Sequence, residues 1–232
     1  MTSMDFSRLK WRQTDFHARR AAVEKLCDQE LLAEIARKDM DYHVRQAAVK
    51  KISDQALLAE IAWYDSDYHV CRTAVEELSD QGLLGQLAQN HSDSEVRESA
   101  VKKLKNKILL GDLAKNDSDY HVRRAALEKI GNDELIKELA KNDCDYHVRM
   151  AAAEKLSDQL LLGEIALSDK DSWVRRVAVE KLSDKGLLIE IARNDQDSWV
   201  RELAVRKLDD QVLLPELALN SSDIHKQRSV SQ

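Results

Sequence analysis

Apolar positions along the chain recur in two alternating patterns. After Asp41, the residues Val44, Ala48 and Ile52 fall at i, i+4 and i+8, and Ala47 and Val49 widen the same stripe. That is the spacing of a helix with one buried face. After Asp54, the residues Leu57, Leu58, Ile61 and Ala62 of SDQALLAEIA make a second apolar face. Each stretch opens on an Asp, whose carboxylate suits the free N–H groups of a first helical turn. The pattern predicts a longer helix followed by a shorter one.

The pair then repeats. Asp15, Asp41, Asp67, Asp93, Asp119, Asp145, Asp171 and Asp197 stand 26 residues apart, and the series continues to Asp223. The unit approximates D-Y-H-V-R-x-A-A-V-E-K-L-S-D-Q-x-L-L-x-E-I-A-x-N-D-x, without insertions between Asp15 and Ser222. Neither helix can bury its apolar side alone, so neighbouring copies must supply the missing surface. Two columns mark the seams. Ala22, Ala48, Ala74, Ala100, Ala126, Ala152, Ala178 and Ala204 keep long helices close, and Leu26, Ile52, Leu78, Leu104, Ile130, Leu156, Leu182 and Leu208 fill a second contact. The expected fold is an all-α solenoid of about eight 26-residue helix pairs over residues 15–222. Residues 1–14 read as a degenerate capping short helix, with Asp5, Phe6 and Leu9 on its cap and apolar columns, and residues 223–232 read as a frayed tail.

Composition narrows the class. One proline and six glycines in 232 residues suit a packed series of helices. A formal charge of −6, from 42 acidic and 36 basic residues, gives no global field toward nucleic acid. The opening MTSMDFSRLKWRQTD has no apolar run of signal-peptide length, and no long apolar stretch follows, so a cytoplasmic protein without membrane insertion is expected. Cys27, Cys71 and Cys144 are too far apart for a disulfide framework or a cysteine metal motif.

The D-x-x-V-R-x-A-A sequence at Asp119 to Ala126 resembles the second-helix signature of HEAT-like repeats, and the short unit also resembles the leucine-rich-variant repeat. The likeness extends from Asp5 to Asp223. It implies a right-handed, HEAT-like α-solenoid in which helices such as Asp41 to Ile52 line the concave wall. The unit is shorter than a usual HEAT repeat and nearly free of proline, so some short helices are expected to be partly 3₁₀.

Several polar columns invite a chemical reading. Arg19, Arg45, Arg97, Arg123, Arg149, Arg175 and Arg201 follow the repeat Asp by four residues. They are expected to bridge capping acids or loop carbonyls within or between repeats, against a rival role in binding phosphate or an acidic partner. The third copy has Cys71 at that place, with Arg72 next. His17, His43, His69, His121, His147 and His225 share one column with Glu95, Trp173 and Trp199. Equivalent side chains in stacked helices sit roughly 8–10 Å apart, too far for one metal ion, so no metal site is expected there. Two readings stay open for the column: packing and capping beside Tyr42, Tyr68, Tyr120 and Tyr146, or a partner-contact surface with Trp173 and Trp199 as anchors. His91 alone leaves the column, replaces an Asp of its neighbours, and is expected at the solvent.

Arg20, Arg72, Arg124 and Arg176 recur every 52 residues as a sparse basic stripe, interrupted by Glu98 and Glu202. Glu34, Glu60, Gln86, Asp112, Glu138, Glu164, Glu190 and Glu216 form a mostly acidic column on the short helices. No phosphate-binding loop, nucleophile elbow or isolated Cys–His pair stands apart from the repeat. The expected function is a noncatalytic scaffold, without cofactor, that presents its long helices to a protein or peptide. A nucleic-acid or phosphate-binding solenoid and a HEAT-like enzyme, such as a base glycosylase or cofactor lyase, are the alternatives. Partner identity and oligomeric state are not encoded in these patterns.

Overall fold

The computed structural model describes residues 15–209, which are helical throughout apart from short connections and contain no strand. The capping helix expected at 1–14, the C-terminal part of the last repeat and the tail at 223–232 lie outside the described residues.

Each helix starts where a side chain takes up its first free N–H groups. Asp41 accepts from the His43 N–H at 2.9 Å, Asp54 from those of Ala56 and Leu57, and Asn106 and Asn132 do the same work at two of the later starts. Nine helices follow in one series: α1 Phe16–Lys25, α2 Gln29–Lys38, α3 Tyr42–Val49, α4 Gln55–Tyr64, α5 Tyr68–Glu77, α6 Gln81–Asn90, α7 Ser94–Lys103, α8 Lys107–Asn116 and α9 Tyr120–Lys129. A second series holds α10 Asp133–Asn142, α11 Tyr146–Lys155, α12 Gln159–Ser168, α13 Ser172–Lys181, α14 Lys185–Asn194 and a last helix, α15, over 198–209.

The two helices of a repeat are equal in length, ten residues each in all but one of those that end within the described region, and they are α-helical rather than partly 3₁₀. This corrects the expected long and short pair. The Leu column misled: Leu78 and Leu182 are buried, and so extend the apolar stripe by one turn, but their backbones are already extended, at φ −64°, ψ 136° and φ −72°, ψ 137°. Because the chain leaves these helices in an extended rather than a left-handed conformation, no glycine is needed at their ends, which accounts for the glycine-poor composition.

The described residues fall into two compact units, with the boundary between Ile130 and Gly131. In the first, α1, α3, α5, α7 and α9 pack in sequence as one row, with α2, α4 and α6 packed in a second row. Each second-row helix also packs on the first-row helix that follows it, α8 on α9 included. In the second unit α11 packs on α13 and α10, α12 and α14 follow one another, with α10 against α11 and α12 against α13. Both units are thus built as α-solenoid stacks of helix pairs. Ala48, Ala74, Ala100 and Ala126 in the first unit, and Ala152 and Ala178 on α11 and α13 of the second, are wholly buried where the helices of each unit pack, and a larger side chain there would separate helices at a cost of about 1–3 kcal/mol. Ala22, in the first described repeat, is exposed.

Candidate recognition site

The arginine ladder is committed to the fold. Arg45 donates from Nε and Nη2 to both carboxylate oxygens of Asp65, 20 residues ahead, at 2.8 Å each, and from Nη1 to the Asp39 carbonyl at 2.9 Å. The same two-pronged pairing joins Arg19 to Asp39, Arg97 to Asp117, Arg149 to Asp169 and Arg175 to Asp195. Arg123 and Arg201 reach the carbonyls of Asp117 and Asp195. The paired acids are not the N-capping aspartates. They stand two residues earlier, at the end of the preceding helix, and also accept the N–H of the capping Asp, as Asp65 does from Asp67 at 2.9 Å. Burial alone would raise the Asp195 carboxyl, but hydrogen bonds from Arg175 and the Asp197 N–H outweigh it and hold the group below the ordinary range. Arg149 is only 2% exposed, so its donors are spent inside the protein rather than offered to a phosphate.

The third repeat swaps both members of this pair at once. Cys71 occupies the arginine place and His91, 20 residues on, the aspartate place. The backbone bonds survive the exchange. Cys71 Sγ lies 3.3 Å from the Asp65 carbonyl, as an arginine Nη1 would, and His91 Nδ1 accepts the Asp93 N–H at 3.1 Å, as a carboxylate would. What disappears is the pair of charges. The expectation that His91 is at the solvent is therefore corrected: it is 8% exposed, and the Trp63 ring lies 5.3 Å from it, centroid to centroid. Cys71 is 3% exposed, and burial pushes its thiol up to about 11, the opposite of an activated nucleophile.

The histidine column divides by unit. In the first, Phe16 stacks on His43 of the next repeat at 5.5 Å and Tyr42 stacks on His69 at 5.7 Å, while His43 Nδ1 lies 3.2 Å from Asp41. His43 and His69 are half-buried, and His17 and His121 are exposed. In the second, His147 Nδ1 lies 3.0 Å from Asp145 and the ring tilts against Tyr146. The two positions after it carry tryptophan. Trp173 is 54% and Trp199 67% exposed. The place that Tyr42 holds relative to His69 is taken by Ser172 relative to Trp199, which leaves Trp199 the more exposed of the two; Trp173 is exposed although Tyr146 stands at its equivalent place. A cleft of about 420 Å³ opens there, lined by Ser172, Trp173, Arg176, Asp197 and Trp199. Arg176 lies over the Trp173 ring, 4.9 Å from its centroid.

No known family model matches the chain, and no curated protein is significantly similar to it.

The basic stripe is not brought together as one surface. Arg20 and Arg72 approach Glu24 and Glu76 one turn on, at 3.7 and 3.5 Å, Arg124 is half-buried, and Arg176 belongs to the tryptophan cleft. The acidic column is partly neutralised by its neighbours, Glu60 by Arg37 at 2.8 Å and Glu164 by Lys141 at 2.7 Å. A second cleft, of about 410 Å³, includes Lys141, Glu164, Arg149 and Asp169, and these four charges already pair with one another. Among the described residues no three His, Cys, Asp or Glu side chains gather as metal ligands would, and no helix is long and apolar enough to cross a membrane.

Two further ladders went unread in the sequence. Lys51 Nζ donates to the Glu24 carbonyl at 2.7 Å, at the end of the preceding first-row helix, and Lys103 and Lys181 repeat the contact on Glu76 and Glu154. Gln29 accepts the Ser53 N–H and donates to the Lys51 carbonyl, as Gln81 does with the Lys105 N–H and the Lys103 carbonyl. Both columns are visible in the E-K-L-S-D-Q consensus, but nothing local reveals that their partners lie a repeat away.

Proposed function

We propose that the chain is a noncatalytic protein-interaction scaffold of the HEAT-like helical-repeat type, and that a protein or peptide partner anchors on Trp173 and Trp199. One observation carries this reading. In a chain whose arginine, lysine and glutamine ladders are spent on holding repeats together, two large aromatic rings, on α13 and α15, stand more than half exposed around an open cleft. Rigid, amphipathic indoles dominate binding hot spots because they bury much area at little entropic cost. Affinity purification from the native cell with the wild-type chain and with Trp173→Ala and Trp199→Ala tests it. The expected result is a partner retained by the wild type and lost from both variants, with unfolding midpoints unchanged. Partners retained equally by correctly folded variants would remove the cleft from the function.

A further inference from the structure

The chemistry of the cleft narrows what enters it, given the scaffold reading above. Arg20 and Arg72 approach the glutamate one turn ahead, yet Arg176, which has Glu180 at the same spacing, forms no ion pair among the described residues and instead lies over Trp173. Its N–H groups are unspent. The carboxylate of Asp197 on the same wall is occupied: it accepts the Trp199 N–H at 2.8 Å and the Val200 N–H at 3.3 Å, and a hydrogen bond from Ser172 helps hold it ionised. Neither indole N–H takes part in a hydrogen bond within the described residues. The cleft thus offers unspent donors, the Arg176 guanidinium and the two indole N–H groups, beside the exposed rings of Trp173 and Trp199.

We infer that the cleft binds an acidic peptide segment of a partner protein, taking an aromatic side chain between Trp173 and Trp199 and pairing an adjacent carboxylate with Arg176. A guanidinium already stacked on a ring is preorganised for such a pair. The formal charge of −6 gives an acidic ligand no long-range attraction, so selection rests on the cleft itself. The same charge, with only one unpaired cation in the cleft, disfavours a nucleic-acid strand, which needs several phosphate contacts.

Indole ¹H–¹⁵N resonances of the full chain, titrated with acetyl-Glu-Phe-Asp-Glu-Phe-Asp-amide and with acetyl-Lys-Phe-Lys-Lys-Phe-Lys-amide, provide the test. The acidic peptide is expected to shift the Trp173 and Trp199 signals but not those of Trp11 and Trp63, and the basic peptide to leave all four in place. Arg176→Gln should weaken the acidic peptide by about tenfold or more, the loss of one charge-assisted pair. Trp199→Ala should abolish binding while the circular dichroism and melting of the chain stay unchanged. Equal or tighter binding of the basic peptide, binding of a single-stranded oligonucleotide at lower concentration than the acidic peptide, or no shift with either peptide at millimolar concentration would each overturn the inference. If Trp173→Ala and Trp199→Ala lose the cellular partner while the acidic peptide fails to bind, the anionic specificity falls and the scaffold reading stands.

Discussion

The sixth repeat and the third solve the same packing problem in opposite ways. In the sixth, Arg149 and Asp169 bury two full charges against each other, at 2.8 and 2.9 Å, with Nη1 of the arginine on the Asp143 carbonyl. In the third, Cys71 and His91 keep the equivalent backbone bonds and bury no ionic pair. The comparison separates two roles that the ladder combines. Satisfying the loop backbone is required in both repeats, whereas the charges are required only once one of them is present. A buried ion pair contributes little net stability against a neutral replacement, yet removing one member strands the other in a medium that solvates it poorly.

The largest effect should come from breaking the charged version. Arg149→Ala leaves the buried Asp169 carboxylate without its guanidinium and should cost about 3–5 kcal/mol, read from urea unfolding. Loss of under about 1 kcal/mol would mean that the pair relaxes into solvent.

The seventh repeat, where Arg175 pairs with Asp195, and the third should next separate by pH. The Asp195 carboxyl titrates lower in the folded chain than in the unfolded one, so its contribution is complete above the ordinary carboxylate value and disappears as pH falls through the lower folded value. Acid therefore attacks the Arg175–Asp195 pair. Cys71 is shifted the other way: its folded thiol titrates near 11, so its contribution is complete below the ordinary thiol value near 9 and disappears as pH rises toward 11. Alkali therefore attacks the third repeat. Cys71→Ala should remove part of the wild-type loss of stability between those two values, and an unchanged alkaline limb would contradict the assignment. At pH 8 in the folded state a thiol reagent should label the exposed Cys27 and Cys144 and spare Cys71, which becomes reactive only on unfolding.

The smallest effect sharpens the role of burial. Arg37 and Glu60 make an equally short pair, at 2.8 Å, but both side chains are nearly half exposed. Arg37→Ala should cost less than about 1 kcal/mol in the same urea assay.

These contrasts also show what was legible in the sequence. The period, the Asp caps and the Ala and Leu/Ile seams were readable because each depends on local spacing, through helical periodicity and capping. The ends of the first-row helices were not, because buried leucines such as Leu78 prolong the apolar pattern past the point where the backbone turns extended. The ladder was half legible. An arginine at nearly every 26-residue step announces a repeated polar contact, but its partner sits 20 residues away, at the far end of the next helix. The only signal for that partner was the coincidence of two departures, Cys71 and His91, at that same separation. The tryptophan cleft was hidden for a related reason. Phe16 and Tyr42 stack on the rings of that column one repeat on, whereas Ser172 gives Trp199 no such partner, so the exposure of Trp199 depends on a neighbour one repeat back.

A double-mutant cycle at the third repeat tests most directly whether the paired positions act as one unit. Cys71→Arg places a guanidinium opposite His91 with no carboxylate to pair it, and His91→Asp places a carboxylate opposite the Cys71 thiol with no guanidinium to pair it. Each alone should destabilise the chain in urea unfolding, whereas the two together should rebuild the pair found in the other repeats and recover most or all of the wild-type stability. Losses that simply add in the double variant would show that Cys71 and His91 are independent, and that the ladder does not hold these repeats in the way described.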